Sequence, residues 1–197
     1  MSGGAAVSRP IPRGRRARTA AAICLGGLAL AACSTFEKQG PAQPCPRFAT
    51  VAYAGNMTRF LGSGRDLTDV DFSATIGPMT GECSYATAGR VTMTLHIPFI
   101  VERGPANKDG QAKFDYFVAV ATTANEVPAG GREAFSVAIP FQGSETRNGG
   151  TEEVEQLIPL HPDENGSNYI VYVGFALTED EFKYNQQTPS APMAPKP

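Results

Sequence analysis

Val91, Met93, Leu95, Ile97, Phe99 and Val101 occupy every second position of one run, with Thr92, Thr94, His96 and Pro98 between them. In an extended chain successive side chains point to opposite faces, so this run presents one apolar face to a core and one polar face to water. It reads as a strand. The pattern recurs at Val70, Phe72, Ala74 and Ile76, at Phe114, Tyr116, Val118 and Val120, and at Phe135, Val137, Ile139 and Phe141. Tyr169, Val171, Val173, Phe175 and Leu177 form a last row, and weaker candidates lie at Phe48 to Tyr53, Glu82 to Ala86 and Val154 to Leu160. Seven or eight strands are therefore expected.

Between these rows stand dipeptides that favour tight bends or positive backbone angles: Gly77-Pro78, Ala88-Gly89, Asp109-Gly110, Gly130-Gly131, Gly149-Gly150 and Asn165-Gly166. Regularly spaced strands without intervening helical patterns predict an all-β, antiparallel sandwich. Strand number and length make it immunoglobulin-like, although the chain has no tryptophan to supply the core of a true immunoglobulin domain. A small β-barrel is the alternative. Pro98, Pro140 and Pro159, late in their strands, point to edges or bulges, because proline cannot donate to a ladder. Thr178-Glu179-Asp180-Glu181 is a capping box opening one helical turn through Phe182 to Asn185.

The chain divides into a leader (residues 1–32), a tether (33–44), the sandwich domain (45–187) and a Pro-rich tail (188–197). Arg9, Arg13, Arg15, Arg16 and Arg18 precede a stretch of 13 almost wholly apolar residues, Ala20 to Ala32. A spanning helix needs about 20, so the stretch is too short for a permanent membrane anchor. It ends at Leu30-Ala31-Ala32-Cys33, which resembles the lipobox of bacterial lipoproteins. The pair Arg15-Arg16 lacks the apolar residues of a twin-arginine signal, since Ala17, Arg18 and Thr19 follow it.

The lipobox resemblance implies that residues 1–32 are removed and that Cys33 becomes the N-terminus, carrying fatty acyl chains such as palmitate. Ser34 stands where an aspartate would signal retention in the inner membrane of Gram-negative bacteria. The resemblance thus implies an outer-membrane anchor, with the domain facing the periplasm. Removing the five leader arginines from 17 basic residues leaves 12 against 19 acidic ones, a net charge of about −7. Such a surface offers no footprint for nucleic acid or anionic headgroups, so the lipid bilayer is engaged through acylated Cys33. Ser34 to Pro44, 11 residues with Gly40, Pro41 and Pro44, can span roughly 36 Å when extended.

With Cys24 lost in the leader and Cys33 acylated, Cys45 and Cys83 remain. Export ends in an oxidising compartment, where such a pair reads most simply as one disulfide. A metal-binding or catalytic thiol is the competing reading, but neither His96 nor His161 sits at ligand spacing from a cysteine. Cys45-Pro46, a Gly-Arg-Asp run at 64–66, Cys83 with Tyr85, the Arg103-Gly104-Pro105 turn and Tyr184-Asn185 together resemble a Gram-negative envelope lipoprotein family that is itself uncharacterised. That resemblance implies a location and no mechanism.

Candidate chemistry is sparse. Gly62-Ser63-Gly64-Arg65 lacks the preceding strand and following lysine-bearing helix of a phosphate loop. Asp66, Asp69 and Asp71, and likewise Asp163, Asn165 and Asn168, lack the pattern of a calcium loop. Glu152, Glu153 and Glu155, and Glu179 to Glu181, read as solvated faces, and no serine stands in a nucleophile elbow. The longest polar connection after a strong strand holds Arg103, Gly104, Asn107, Lys108 and Asp109, the candidate interaction loop. The expectation is a membrane-anchored periplasmic protein-binding or scaffold module, without enzymatic activity, cofactor or metal and with an unidentified envelope protein as partner. A small-ligand carrier or loop-built enzyme, and a subunit of an export or envelope-assembly complex, are the alternatives.

Overall fold

The structure, a computed structural model, describes residues 43–128 and 131–188. The leader, Cys33 and the tail from residue 189 lie outside the described residues. Nine strands are present: β1 (Arg47–Thr50), β2 (Asn56–Phe60), β3 (Val70–Ile76), β4 (Thr80–Ser84), β5 (Arg90–Arg103), β6 (Gln111–Thr122), β7 (Arg132–Pro140), β8 (Arg147–Pro159) and β9 (Tyr169–Phe175). One helix, α1 (Glu179–Gln187), follows. The strand beyond the expected eight is β2, where Met57 is the one buried side chain and no row of apolar residues announces a strand.

These strands form two packed sheets, an all-β sandwich. One sheet has the order β1-β9-β6-β7; the other runs β2-β3-β5, with β4 beside β3 on one flank of β5 and β8 along the other. Each sheet stays open, so the barrel alternative is set aside. The layering is the one expected, while the connections are the chain's own: β6 and β7 are neighbours in one sheet and β8 crosses to the other. All pairings are antiparallel except β1 on β9, which is parallel.

The apolar rows identified in the sequence line the space between the sheets. Phe99 of β5 meets Phe114 and Tyr116 of β6 at ring-centroid distances of 5.2 and 4.9 Å, and Phe175 of β9 at 5.8 Å. Val91, Leu95, Ile97 and Val101 have no exposed surface. Each such side chain contributes roughly 1.5–3 kcal/mol by leaving water. This core is what holds β6 and β9 against β5.

Two expected turns are interruptions within longer strands. Ile76 pairs with Phe99 and Thr80 with His96, so three residues, Gly77 to Met79, face only Pro98 and Ile97. The segment β3–β4 is one extended path along β5 with a bulge at Gly77-Pro78, and no hairpin forms there. Gly77 donates its amide hydrogen to the Pro98 carbonyl at 2.7 Å. In an antiparallel ladder a residue's N–H and C=O point to the same neighbour. The donor that Pro98 lacks is therefore missing at the bulge, where the ladder is already broken. Gly149-Gly150 likewise lies inside β8, opposite Ile100 and Phe99. A Cβ on Gly149 would meet the Phe99 carbonyl at 2.7 Å, so glycine permits the close approach of β8 to β5.

Cys45 and Cys83 form a disulfide with a Cα–Cα distance of 5.7 Å. It joins the segment before β1, at the edge of one sheet, to β4 of the other. The Tyr85 hydroxyl beside it donates to the Pro44 carbonyl and accepts from the Gly166 amide at 2.7 Å. The expected capping box is formed, with Thr178 accepting from the Glu181 amide and Glu181 accepting from that of Thr178, and the helix runs to Gln187, past the single turn expected.

Candidate interaction surface

The two flanks of the sandwich differ. On one, α1 lies along the outer edge of β2, and the Asn185 side chain donates to the carbonyls of Tyr53 and Asn56, both at 2.7 Å. Arg59 of β2 pairs with Glu181 at 2.8 Å, and the disulfide straps β4 to the segment before β1. On the other flank β7 and β8 are the outermost strands of their sheets, and among the described residues no strand pairs with either outer edge.

Which backbone groups β8 leaves free follows from its ladder. Arg103 donates to Thr146, and Leu160 donates to Gly89, so the even-numbered residues of this strand face β5. The amides and carbonyls of Thr151, Glu153, Glu155 and Leu157 point away from the sheet. By the same reasoning, the bonds Val120 to Gly131 and Phe141 to Gly110 turn Arg132, Ala134, Ser136 and Ala138 of β7 outward. The free edge of β8 is regular, since its register with β5 is unbroken from Arg90↔Pro159 to Glu102↔Arg147.

Between these edges lies a cleft of about 350 Å³, lined by Val120, Glu133, Glu155, Gln156, Ile158 and Tyr169 among others. Gln156, buried on the inner face of β8, donates to the Glu133 carboxylate of β7 at 3.2 Å and so bridges the two sheets. In the core between the sheets, Tyr116 of β6 is fully buried, and among the described residues its hydroxyl has no hydrogen-bond partner. Burial, followed by the nearby negative charge of Glu152, pushes its pKa up to about 12. The flank is acidic. From Gly149 to Pro159 the strand carries Glu152, Glu153 and Glu155 and no basic residue. Leu157, 58% exposed, ends the outward row.

The loop singled out in the sequence has a different role in its parts. Asn107 is buried; its side chain donates to Asp71 and to the Gln111 carbonyl, both at 2.8 Å, and accepts from the Gly110 amide at 3.0 Å. Arg103 donates to the carbonyls of Asn107 and Gly143 at 3.0 and 3.2 Å. A Cβ on Gly104 would lie 2.0 Å from the Val70 carbonyl, so the loop passes directly over β3. These three residues hold the β5–β6 connection in place. Lys108 and Asp109 alone of the five point into solvent, Asp109 within 3.5 Å of Lys113.

Other polar groups are used locally. Asp66 and Asp69 cap a single 3-10 turn at Leu67–Asp69, and Asn165 and Asn168 cap another at Gly166–Asn168. His96 stands 3.6 Å from Glu153 on the outer face, and His161 is exposed. Among the described residues no three His, Cys, Asp or Glu side chains converge as metal ligands. Comparison of the chain with protein-family models, with curated proteins and with solved structures gave no match.

The sequence could not single out β8 as a free edge, because whether a strand has one neighbour or two is decided by pairing far along the chain. Its local signs were Pro159 late in the strand, a hint that Pro98 gave equally for the central β5, and composition: Glu152, Glu153 and Glu155 around apolar Val154, a charge density that would be costly in a strand paired on both sides.

Proposed function

We propose that the protein is a non-enzymatic protein-binding module of the cell envelope, held by acylated Cys33 on the periplasmic side of the outer membrane, with the β7/β8 flank as its working surface. One observation carries this reading. Among the described residues, two long strands leave their outer backbone edges unpaired on the same flank, while on the opposite flank α1 lies along β2 and the disulfide straps β4 to the segment before β1. Unpaired edges invite pairing with another chain, and proteins that do not use them shorten, cover or bulge them. Strand addition to such an edge is a common mode of peptide recognition. The lipobox resemblance supports the address, and the acidic mature chain supports attachment by lipid rather than by charge.

The cleft between the same strands favours a second reading, a small-ligand carrier: it combines apolar walls with the Gln156–Glu133 pair. One experiment separates the two. A photoreactive residue is placed at Leu157, with a control at Lys183 on α1, in protein expressed with its leader and left in its membrane. The module reading expects one stoichiometric partner crosslinked from Leu157 and not from Lys183. No crosslinked protein from Leu157, with a small molecule retained through purification, would favour the carrier. For the anchor, mass spectrometry of the mature N-terminus should find acyl chains on Cys33, and Cys33→Ser should release the protein from membranes.

A further inference from the structure

We infer that the β8 edge accepts an extended, basic segment of a partner protein as an added strand. This inference rests on the binding-module reading and names the chemistry of its partner. Thr151, Glu153, Glu155 and Leu157 offer four amides and four carbonyls along one regular line. From Thr151 to Leu157 that line spans roughly 20 Å, the reach of an ordinary strand. No bulge twists it away from an incoming chain.

Charge selects the occupant. In an added antiparallel strand, side chains directly opposite lie about 5 Å apart, where opposite charges attract and like charges repel. Glu153 and Glu155 stand two residues apart on the outer face, so the partner needs Lys or Arg at alternate positions, preceded by an apolar residue opposite Leu157. Its intervening side chains fall on the inner face beside Val154 and Gln156, over the mouth of the cleft, and are apolar. The occupant is therefore a two-faced strand, basic outside and apolar inside.

A second copy of β8 is disfavoured as occupant, because symmetric pairing would set Glu153 and Glu155 of one copy against those of the other. The acidic edge thus discourages self-association and leaves the backbone open to a strand of the opposite charge.

The test uses the mature protein purified from membranes in detergent. Three capped synthetic peptides serve as probes: Leu-Val-Lys-Val-Lys-Val-Thr, the same sequence with glutamate for lysine, and the lysine peptide methylated on the backbone nitrogens of its two lysines, which face β8. Amide hydrogen exchange and NMR shifts report on Thr151, Glu153, Glu155 and Leu157. The lysine peptide should protect these four amides, and the other two should not. The double charge reversal of Glu153→Lys with Glu155→Lys should weaken the lysine peptide by about tenfold or more and admit the glutamate peptide. Thr151→Pro removes one outward amide without touching the β5 ladder or the charge of the edge, and should also weaken the lysine peptide.

Equal protection by lysine and glutamate peptides would overturn the basic-strand inference and leave the module standing. No protection by any peptide, with Leu157 still crosslinking its partner, would overturn strand addition alone. Absence of both peptide protection and crosslink would sink the module reading as well. Concentration-dependent self-association that protects the same four amides would replace the partner with a second copy pairing through β7.

Discussion

The Asn107 side chain donates a hydrogen bond to the Asp71 carboxylate at 2.8 Å, joining the β5–β6 loop to β3. Burial raises the pKa of Asp71 above its ordinary 3.8, while the bond from Asn107 opposes that shift. The folded state therefore holds the Asp71 proton more tightly than the unfolded chain does. It follows that this group's contribution to stability is greatest below about pH 3.8 and is lost as pH rises through its folded value. Asp71→Asn keeps an acceptor for Asn107 and removes the charge. Urea unfolding from pH 3 to 7 should show the variant gaining stability relative to the parent as pH rises, with the difference vanishing at the acid end. Asn107→Ala should destabilise at every pH, by about 2–3 kcal/mol, because it leaves Asp71 and two backbone groups without their partner.

The Cys45–Cys83 disulfide closes a segment of 38 residues' separation and links the two sheets on the flank opposite β8. On the chain-entropy model its loss costs roughly 4 kcal/mol, a large share of the net stability of an ordinary domain. The expected outcome for Cys45→Ser with Cys83→Ser is a drop of that size in denaturant unfolding. The Tyr85 hydroxyl, left with Pro44 no longer held beside it, should then show faster exchange at the Gly166 amide. A double variant as stable as the parent would mean that Tyr85 and the core suffice to hold this flank.

How far the fold could be read depended on whether the deciding contacts were local. The rows in β3, β5, β6, β7 and β9 were legible because a half-buried strand writes its geometry into every second residue. The capping box at Thr178 was legible for the same reason, being a relation three residues long. Gly77-Pro78 and Gly149-Gly150 misled, since the same dipeptides serve a hairpin, a bulge or a close strand approach, and the choice rests with β5, up to 51 residues away at Phe99↔Gly150. Strand β2 was silent because it buries one side chain. The role of Asn107 was hidden in the same way: its partner Asp71 is 36 positions distant, so a polar loop residue that braces the fold looked like one free to bind.

Asn185 uses both amide hydrogens of its side chain to hold the carbonyls of Tyr53 and Asn56. Asn185→Ala leaves two partly buried carbonyls without this partner and should destabilise by about 1–2 kcal/mol. Because Asn56 lies on β2, the loss should also loosen α1 and expose a second strand edge. Hydrogen exchange should quicken across 179–187, and the variant should aggregate at concentrations where the parent stays monodisperse. Unchanged exchange in α1 would show that the Arg59–Glu181 pair and the edge-on contact of the Phe60 and Tyr184 rings, 5.1 Å between centroids, hold the helix without Asn185.

Tyr116 carries a hydroxyl that its surroundings leave unpaired, wedged between Phe99 and the stacked ring of Phe135 at 5.1 Å. A buried polar group without a partner weighs against folding, so Tyr116→Phe should keep the packing and raise stability at neutral pH by about 1 kcal/mol. Alkaline behaviour gives an independent check. Tyr116 and Tyr169 both have pKa values pushed from 10.0 up to about 12, by burial first, then for Tyr116 by the charge of Glu152 and for Tyr169 by the hydrogen bond its hydroxyl donates to Glu164 and by that carboxylate's charge. Between those values the unfolded chain releases protons that the folded protein keeps, so stability is fully present below pH 10 and falls as pH approaches 12. Tyr116→Phe removes one of the two contributions and should reduce the slope by about half, leaving the part due to Tyr169. If the slope stays unchanged while neutral stability rises, the Tyr116 hydroxyl ionises in the folded state as readily as in the unfolded one, and water reaches it in the core.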